Sequence, residues 1–239
     1  MMKKNMMSKI MMAEVLVSRT VASVLNIQDR KAQASKIILT LFTLALTACA
    51  TPYTERYYQL TYPLNNTSGA QTDDANAAKI TYELIVADVR IPDSINRNQL
   101  VVQKSATESV ISDDQRWVAL LDEQIGQAVV ANLRSQLPGA WIANRVTVSN
   151  TSAAGQNLPR YHLAIQVAQL LIQSGDKVTL EAIWILQDGS KNTLKRERTV
   201  ITVPVSGAGY DPIAPAVSES VRQLSEQIAK GMLAARATQ

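Results

Sequence analysis

Ile37 to Cys49 reads IILTLFTLALTAC, an apolar run that stops at the only cysteine in 239 residues. This stretch separates residues that belong to a folded domain from residues removed before that domain forms. Leu46 is aliphatic, Thr47 and Ala48 are small, and Cys49 follows directly, which is the order of a bacterial lipobox. Arg30, Lys31 and Lys36 supply the basic region that a secretory signal places ahead of its apolar segment. Cleavage between Ala48 and Cys49 would leave an acylated Cys49 as the first residue of the mature chain.

Other readings of the run fit less well. A transmembrane helix needs about 20 apolar residues to cross the hydrocarbon core, whereas this run has 13 and lacks a basic stop-transfer flank. A buried core helix would carry a polar face, and this segment has none. A plain secretory signal would use the same small residues but gives no reason for the sole thiol to stand at the cut. Six of the seven methionines fall within the first 12 residues, so the leader is long and translation is expected to start internally, for example at Met12.

Division at the cut changes the charge. Residues 1–48 carry 7 Lys/Arg and 2 Asp/Glu, so the remainder carries 24 − 7 = 17 basic and 20 − 2 = 18 acidic residues, a net −1. The basic pI belongs to the leader, and the mature part offers no surface for nucleic acid. The 239 − 48 = 191 remaining residues suffice for one domain that buries roughly 70 % of its unfolded surface. With Cys49 acylated, no disulfide or thiolate metal site is available. One Phe in the whole chain leaves Val, Ile, Leu and Ala to build the core around Trp117, Trp141 and Trp184.

The expected organisation is a signal peptide over 1–48, a lipidated N-terminus with a short strand and linker over 49–79, and an α+β domain over 80–239. Tyr57-Tyr58-Gln59-Leu60 reads as a short strand, and the polar, Ala-rich segment from Pro63 to Ala78 as a linker or loop. Ile80 to Ile91 alternates Ile80, Tyr82, Leu84, Val86 and Asp88 with Thr81, Glu83, Ile85, Ala87 and Val89, as a strand does, until Pro92 and Asp93 stop it. Gln99–Lys104 and Glu108–Ile111 are further short strands. A first helix is expected from Asp113 to Leu137. Ser112 and Gln115 have capping-box spacing, Asp113 and Asp114 suit the helix dipole, and Trp117, Leu121, Ile125, Ala128 or Val129, Leu133 and Leu137 form one apolar face.

Strands follow at Trp141–Ser149, Tyr161–Gln173, Lys177–Gln187 and Thr193–Val205. Turns at Ser174-Gly175-Asp176 and Asp188-Gly189-Ser190 join the last three. Lys195, Arg196, Glu197 and Arg198 mark the fourth as a protected edge or a solvated face, with a docking surface as the alternative. A last helix is expected with Asp211 as N-cap and Pro212 in its first position. Ile213, Val217, Val221, Leu224, Ile228 and Met232 make its stripe, with Arg222, Glu226 and Lys230 opposite. The predicted fold is a single α+β domain, a mostly antiparallel sheet with two long amphipathic helices packed on it.

Candidate catalytic residues do not assemble. His162 is the only histidine and sits among strand residues Leu163, Ile165 and Val167, with no second histidine or thiol to pair with it. Gly207-Ala208-Gly209 lacks the third glycine or the Gly-Lys-Ser/Thr ending of a phosphate loop and reads as a turn. Asp113-Asp114 and Asp122-Glu123 are explained by helix capping and exposure. A carboxylate pair that converges only in three dimensions stays open. Neither a cofactor nor a metal is expected, and the site residues are Cys49 for lipidation with Leu46, Thr47 and Ala48 as the cleavage motif.

The order of segments resembles the PqiC/YmbA family of ABC-type transport auxiliary lipoproteins. The matching pieces begin with Cys49, Tyr57-Tyr58-Gln59-Leu60, and Val89-Arg90-Ile91-Pro92-Asp93 with Arg97 and Gln99-Leu100-Val101. Arg116-Trp117 with Leu120-Leu121-Asp122 comes next, then Tyr161-His162-Leu163, Ala182-Ile183-Trp184, and the Ser218–Ala229 helix with Leu224-Ser225. Ser94 and Asn98 depart from the family pattern, which often has an aromatic and a proline there, and Pro63–Ala78 looks like an insertion. The resemblance implies a non-enzymatic, membrane-tethered periplasmic component. Such a component works with an MCE-domain protein and its membrane transporter subunits to move lipid between the two membranes, and a homo-oligomer around a conduit is compatible with that role. Each acyl chain contributes on the order of 10 kcal/mol of membrane affinity, and Ala50, where Asp would favour inner-membrane retention, points to the outer membrane. The alternative is a free-standing outer-membrane lipoprotein with a structural or cell-wall role.

Overall fold

The computed structural model describes residues 54–63, 79–144 and 158–238. Leu46, Thr47, Ala48 and Cys49 lie outside the described residues, as do most of the two polar stretches that follow Pro63 and Asn144. Thr54–Gln239 forms one compact unit. Among the described residues, eight strands and two helices run in the order β1 (Arg56–Tyr58), β2 (Tyr82–Val86), β3 (Gln99–Gln103), β4 (Ser109–Trp117), α1 (Leu121–Gln136), β5 (Ala140–Asn144), β6 (Arg160–Gln173), β7 (Lys177–Asp188), β8 (Thr193–Pro204) and α2 (Ile213–Ala237).

The α+β class holds, with the strands divided between two sheets. One has the order β5-β2-β6-β7-β8 and the other β1-β4-β3. The longest ladders, β6 with β7 and β7 with β8, are antiparallel. β2 is different, since it pairs in parallel with both β5 and β6. That central position explains why all five residues of β2 are buried where half-burial would be the rule for an alternating strand. The regular strand ends at Val86, short of the expected Ile91, but its line is resumed by Arg90, whose backbone bonds Ile165 and Val167 of β6.

β6 keeps one face toward the core by a slip in register. Tyr161, Leu163, Ile165 and Val167 are buried at odd positions, and Leu170 and Ile172 at even ones. A bulge between Val167 and Gln169 makes the change. On β7, Val178, Leu180, Ala182, Trp184 and Leu186 all point inward, as their alternation predicts. β8 is an edge strand, so its Lys195–Arg198 run sits where charge discourages edge-to-edge pairing. Both helices pack on this sheet, and the α2 stripe Ile213, Val217, Val221, Leu224, Ile228 and Met232 is buried in full.

Three expectations need correction. The first helix begins at Leu121, and Asp113–Trp117 belong to β4. The capping-type bond from Gln115 N–H to Ser112 Oγ does form, at 3.1 Å. Here it closes a bulge in β4, where the pairing with β3 jumps from Val101↔Ile111 to Gln99↔Arg116. Gln115 and Trp117 are buried at strand spacing, so the step of four from Trp117 to Leu121 crosses a strand-to-helix junction. The α1 N-terminus is instead capped from a distance, by Asn96 Oδ1 accepting the Asp122 N–H at 3.2 Å. Secondly, α2 starts at Ile213 with Pro212 in the capping place, and Asp211 makes no cap. Thirdly, the boundary placed at residue 80 does not separate β1 from the domain. β1 pairs with β4, and Leu60 is part of the core.

Candidate functional site

Because Cys49 lies outside the described residues, the part of the fold that bears on its chemistry is the place where the chain coming from it is secured. That place is β1 and the residues just after it. Short and exposed, β1 has little intrinsic stability, and its attachment depends on side chains from four other segments.

Charge holds its first residues. Glu55 accepts from Arg116 Nε at 3.0 Å, and Arg56 Nη1 lies 3.4 Å from Asp211 Oδ1 at the entrance to α2. Tyr58 lies between them, its hydroxyl 2.6 Å from Gln115 Oε1 and 2.9 Å from Asp211 Oδ1. One hydroxyl proton serves one acceptor. The Tyr58 hydroxyl therefore donates to one of the two carbonyl or carboxylate oxygens at a time, Gln115 Oε1 being the nearer. Burial first, and then the Asp211 carboxylate, push the Tyr58 phenol above its ordinary pKa, so it stays protonated and able to donate.

The next two residues are fixed by buried polar groups. Leu60 inserts into the core, and its N–H donates to Gln124 Oε1 at 3.1 Å, while Gln124 Nε2 donates to Ala119 O at 2.8 Å. Thr61 N–H donates to Ser218 Oγ at 2.9 Å, and that hydroxyl donates in turn to Ala214 O at 2.7 Å. Sequence reasoning missed Gln124 and Ser218. A signal existed, because each is a polar residue set inside an apolar helical stripe, Gln124 beside Leu121 and Ile125, Ser218 beside Val217 and Val221.

A groove of about 320 Å³ lies alongside, lined by Thr61, Tyr62, Asn132, Ser218, Glu219 and Arg222 among others. Its one guanidinium is already neutralised. Arg222 donates to both oxygens of Glu219 at 2.6 Å and also to Glu226. The groove therefore presents a balanced polar wall with little capacity to draw an anion.

Elsewhere, the remaining sequence candidates stay apart. His162 is half-buried on β6, and burial first, then Arg160 and Lys191, lower its pKa, leaving a neutral imidazole at pH 7. Asp113 and Asp114 sit at the β4 bulge, and the Asp114 carboxyl is held low chiefly by the Ser112 hydroxyl, which donates to it at 2.8 Å. Asp122 and Glu123 occupy the first turn of α1. Gly207 and Gly209 take positive φ in the turn before α2. Among the described residues, no three His, Cys, Asp or Glu side chains are grouped to hold a metal ion. No described helix is long and apolar enough to cross a membrane.

Comparison with known proteins adds a family to this geometry. The family model described as the ABC-type transport auxiliary lipoprotein component matches residues 58–229. The intermembrane transport lipoprotein PqiC of Escherichia coli (strain K12) is 32% identical over 111 residues, which make up 46% of this chain and 56% of that protein. Its namesake in Shigella flexneri matches with the same values. The chain thus spans little more than half the length of these curated relatives. A crystal structure of an uncharacterized protein superposes with a TM-score of 0.57 at 23% identity, covering 75% of this chain and 99% of that one. A Xanthomonas campestris protein gives the same TM-score at 15% identity, with 77% and 97% covered. At these identities the two structures establish a shared fold.

Proposed function

Since the chain belongs to the family of ABC-type transport auxiliary lipoprotein components, we propose that it is anchored in the outer membrane through acylated Cys49 and serves an MCE-type lipid-transport system from the periplasmic side. The observation that carries this reading is one of spacing. The family match begins at Tyr58, nine residues after the sole cysteine (58 − 49 = 9), so the lipobox stands directly ahead of the family's domain. The name of the Escherichia coli relative, an intermembrane transport lipoprotein, supports lipid movement between membranes as the process served.

The role is auxiliary. In this reading the chain supplies a tethered docking domain to an MCE-domain protein and its transporter subunits, itself carrying out no chemistry, and copies of it can surround a conduit. The securing of β1 supports a tether, because a force on Cys49 passes into two ion pairs, the Gln124 bridge and the buried Leu60 before it reaches the sheet. Ala50 in place of Asp supports the outer membrane as the destination.

The test is separation of membranes from cells that carry either the natural protein or Cys49→Ala, followed by crosslinking and affinity recovery. The natural protein should fractionate with outer membrane and bring down an MCE-domain protein, while Cys49→Ala should remain an unacylated precursor and lose membrane retention. Equal retention and function of the variant would overturn the anchor. Recovery of peptidoglycan-associated proteins alone would overturn the transport partner in favour of a cell-wall role.

A further inference from the structure

We propose that the β3–β4 hairpin is a second membrane contact, its tip resting in the lipid interface of the same bilayer that holds Cys49. The inference rests on the lipoprotein reading above and goes beyond it by fixing which end of the domain faces the lipid.

Strand direction is the first ground. β1 and β4 are parallel, in the register Arg56↔Gln115. The N-terminal ends of both strands therefore lie at one end of the three-stranded sheet. From the β1 end the chain leads back toward Cys49, and from the β4 end it leads into the turn to β3. The start of β1 and the hairpin tip thus lie toward the same end of this sheet.

Reach is the second ground. Arg56 is the seventh residue after Cys49 (56 − 49 = 7), and seven residues fully extended span at most ~25 Å. On β4, Ser109 precedes Gln115 by six residues (115 − 109 = 6), so the hairpin projects up to ~20 Å past the start of β1 at about 3.3 Å per residue. Leash and projection are nearly equal, and the Arg116–Glu55 and Arg56–Asp211 pairs keep β1 from peeling to lengthen the leash. A domain held this closely brings its hairpin to the bilayer surface.

Composition of the tip is the third ground. Every residue from Lys104 to Ile111 is exposed, so both faces of the strand project beyond the core. Val110 and Ile111, adjacent and therefore on opposite faces, are 40% and 47% exposed. Lys104, paired loosely with Glu108 at 3.5 Å, brings an ammonium to the level of lipid phosphates. Asp113 and Asp114 follow on β4 and limit penetration to the depth of the two apolar side chains.

The experiment uses the acylated protein on vesicles of phosphatidylethanolamine and phosphatidylglycerol. Its one natural thiol is consumed by acylation, so Val110→Cys, Ile111→Cys and the control Leu233→Cys, exposed on α2, can each be labelled with an environment-sensitive fluorophore. Quenching by lipids nitroxide-labelled near the headgroup should be several-fold stronger at positions 110 and 111 than at 233, with a blue shift in emission. Protein that floats with the vesicles but shows equal quenching at all three sites overturns the hairpin contact and leaves the anchor standing. Labels at 110 and 111 that are shielded from an aqueous quencher yet unquenched by lipid identify a protein contact and overturn the lipid assignment. Failure to float overturns the anchor, and the hairpin contact falls with it.

Discussion

Gly231 is set by a ring on another element. A Cβ added there would clash with Cη2 of Trp184 and lie 3.3 Å from Cδ of Lys195. The ring has nowhere to retreat, since Trp184 is fully buried and its Nε1–H donates to Thr199 Oγ1 at 3.1 Å. Lys195 Nζ stands 5.5 Å from the ring centroid. Replacement of a helical glycine by alanine normally gains about 1 kcal/mol, whereas forcing an atom into a packed core costs about 1–3 kcal/mol. Gly231→Ala should therefore lose up to about 2 kcal/mol net, read as a lower urea midpoint. Gly126 is the control: its added Cβ would meet Val89 Cγ2 at an ordinary 3.7 Å, so Gly126→Ala should gain up to about 1 kcal/mol. An unchanged midpoint for Gly231→Ala would show that Trp184 can move. The α2 stripe was legible because apolar spacing is local, but Gly231 reads in sequence as a weak helix former. Its reason stands 231 − 184 = 47 positions earlier.

At the scale of elements, the helix stripes and the β6–β7–β8 meander were legible for the same reason: turn residues and periodicity lie within a few positions of each other. The start of α1 was not. Ser112 and Gln115 carry the local signature of a helix cap and even make its hydrogen bond, but Tyr58 and Trp117 pair across strands and override it. A distant Asn96 then caps the helix, and only the folded chain brings it there. The exposed face of α2 shows the converse, a local interaction with a measurable pH signature. Arg222 hydrogen bonds hold the Glu219 carboxyl at about 2, below its usual value of 4.5, and Arg222 is raised in return. A depressed carboxyl pKa stabilises the fold above the unfolded pKa, near 4.5, and that stability is lost as the pH falls toward 2. Both side chains are more than a third exposed, so solvent screening reduces the pair to about 0.5 kcal/mol. Arg222→Met should thus be slightly less stable than the natural protein at pH 7 and equal to it near pH 2, by urea titration at each pH. A constant difference across that range would exclude the ion pair as its cause.

Across the whole molecule, a two-helix α+β domain was legible from the sum of its elements, but the division into two sheets was not. The β1–β4 ladder is parallel and joins residues 115 − 56 = 59 positions apart, a pairing that leaves no local trace in either strand. With Cys49 acylated as proposed, that ladder has a mechanical consequence, because β1 joins the chain leading from Cys49 to the rest of the domain. While β1 is docked, the leash runs from Cys49 to Arg56. If β1 and Leu60 come away, as many as 80 − 49 = 31 residues separate Cys49 from Ile80, just ahead of β2. Leu60→Ala removes a core side chain that is 1% exposed, a loss of about 2–4 kcal/mol. Gln124→Ala leaves the buried Leu60 N–H without its acceptor, at about 1–3 kcal/mol. Either loss falls on the docking of a three-residue strand. Treatment of the acylated protein on vesicles with a low concentration of protease should therefore release the domain faster from both variants than from the natural protein, with cleavage between residues 54 and 80. Far-UV circular dichroism of the released fragments should match that of the natural domain. Release at the natural rate would mean that the ion pairs of Glu55 and Arg56 alone hold β1, and double replacement of Arg116 and Asp211 by alanine would then have to produce the release that Leu60→Ala did not.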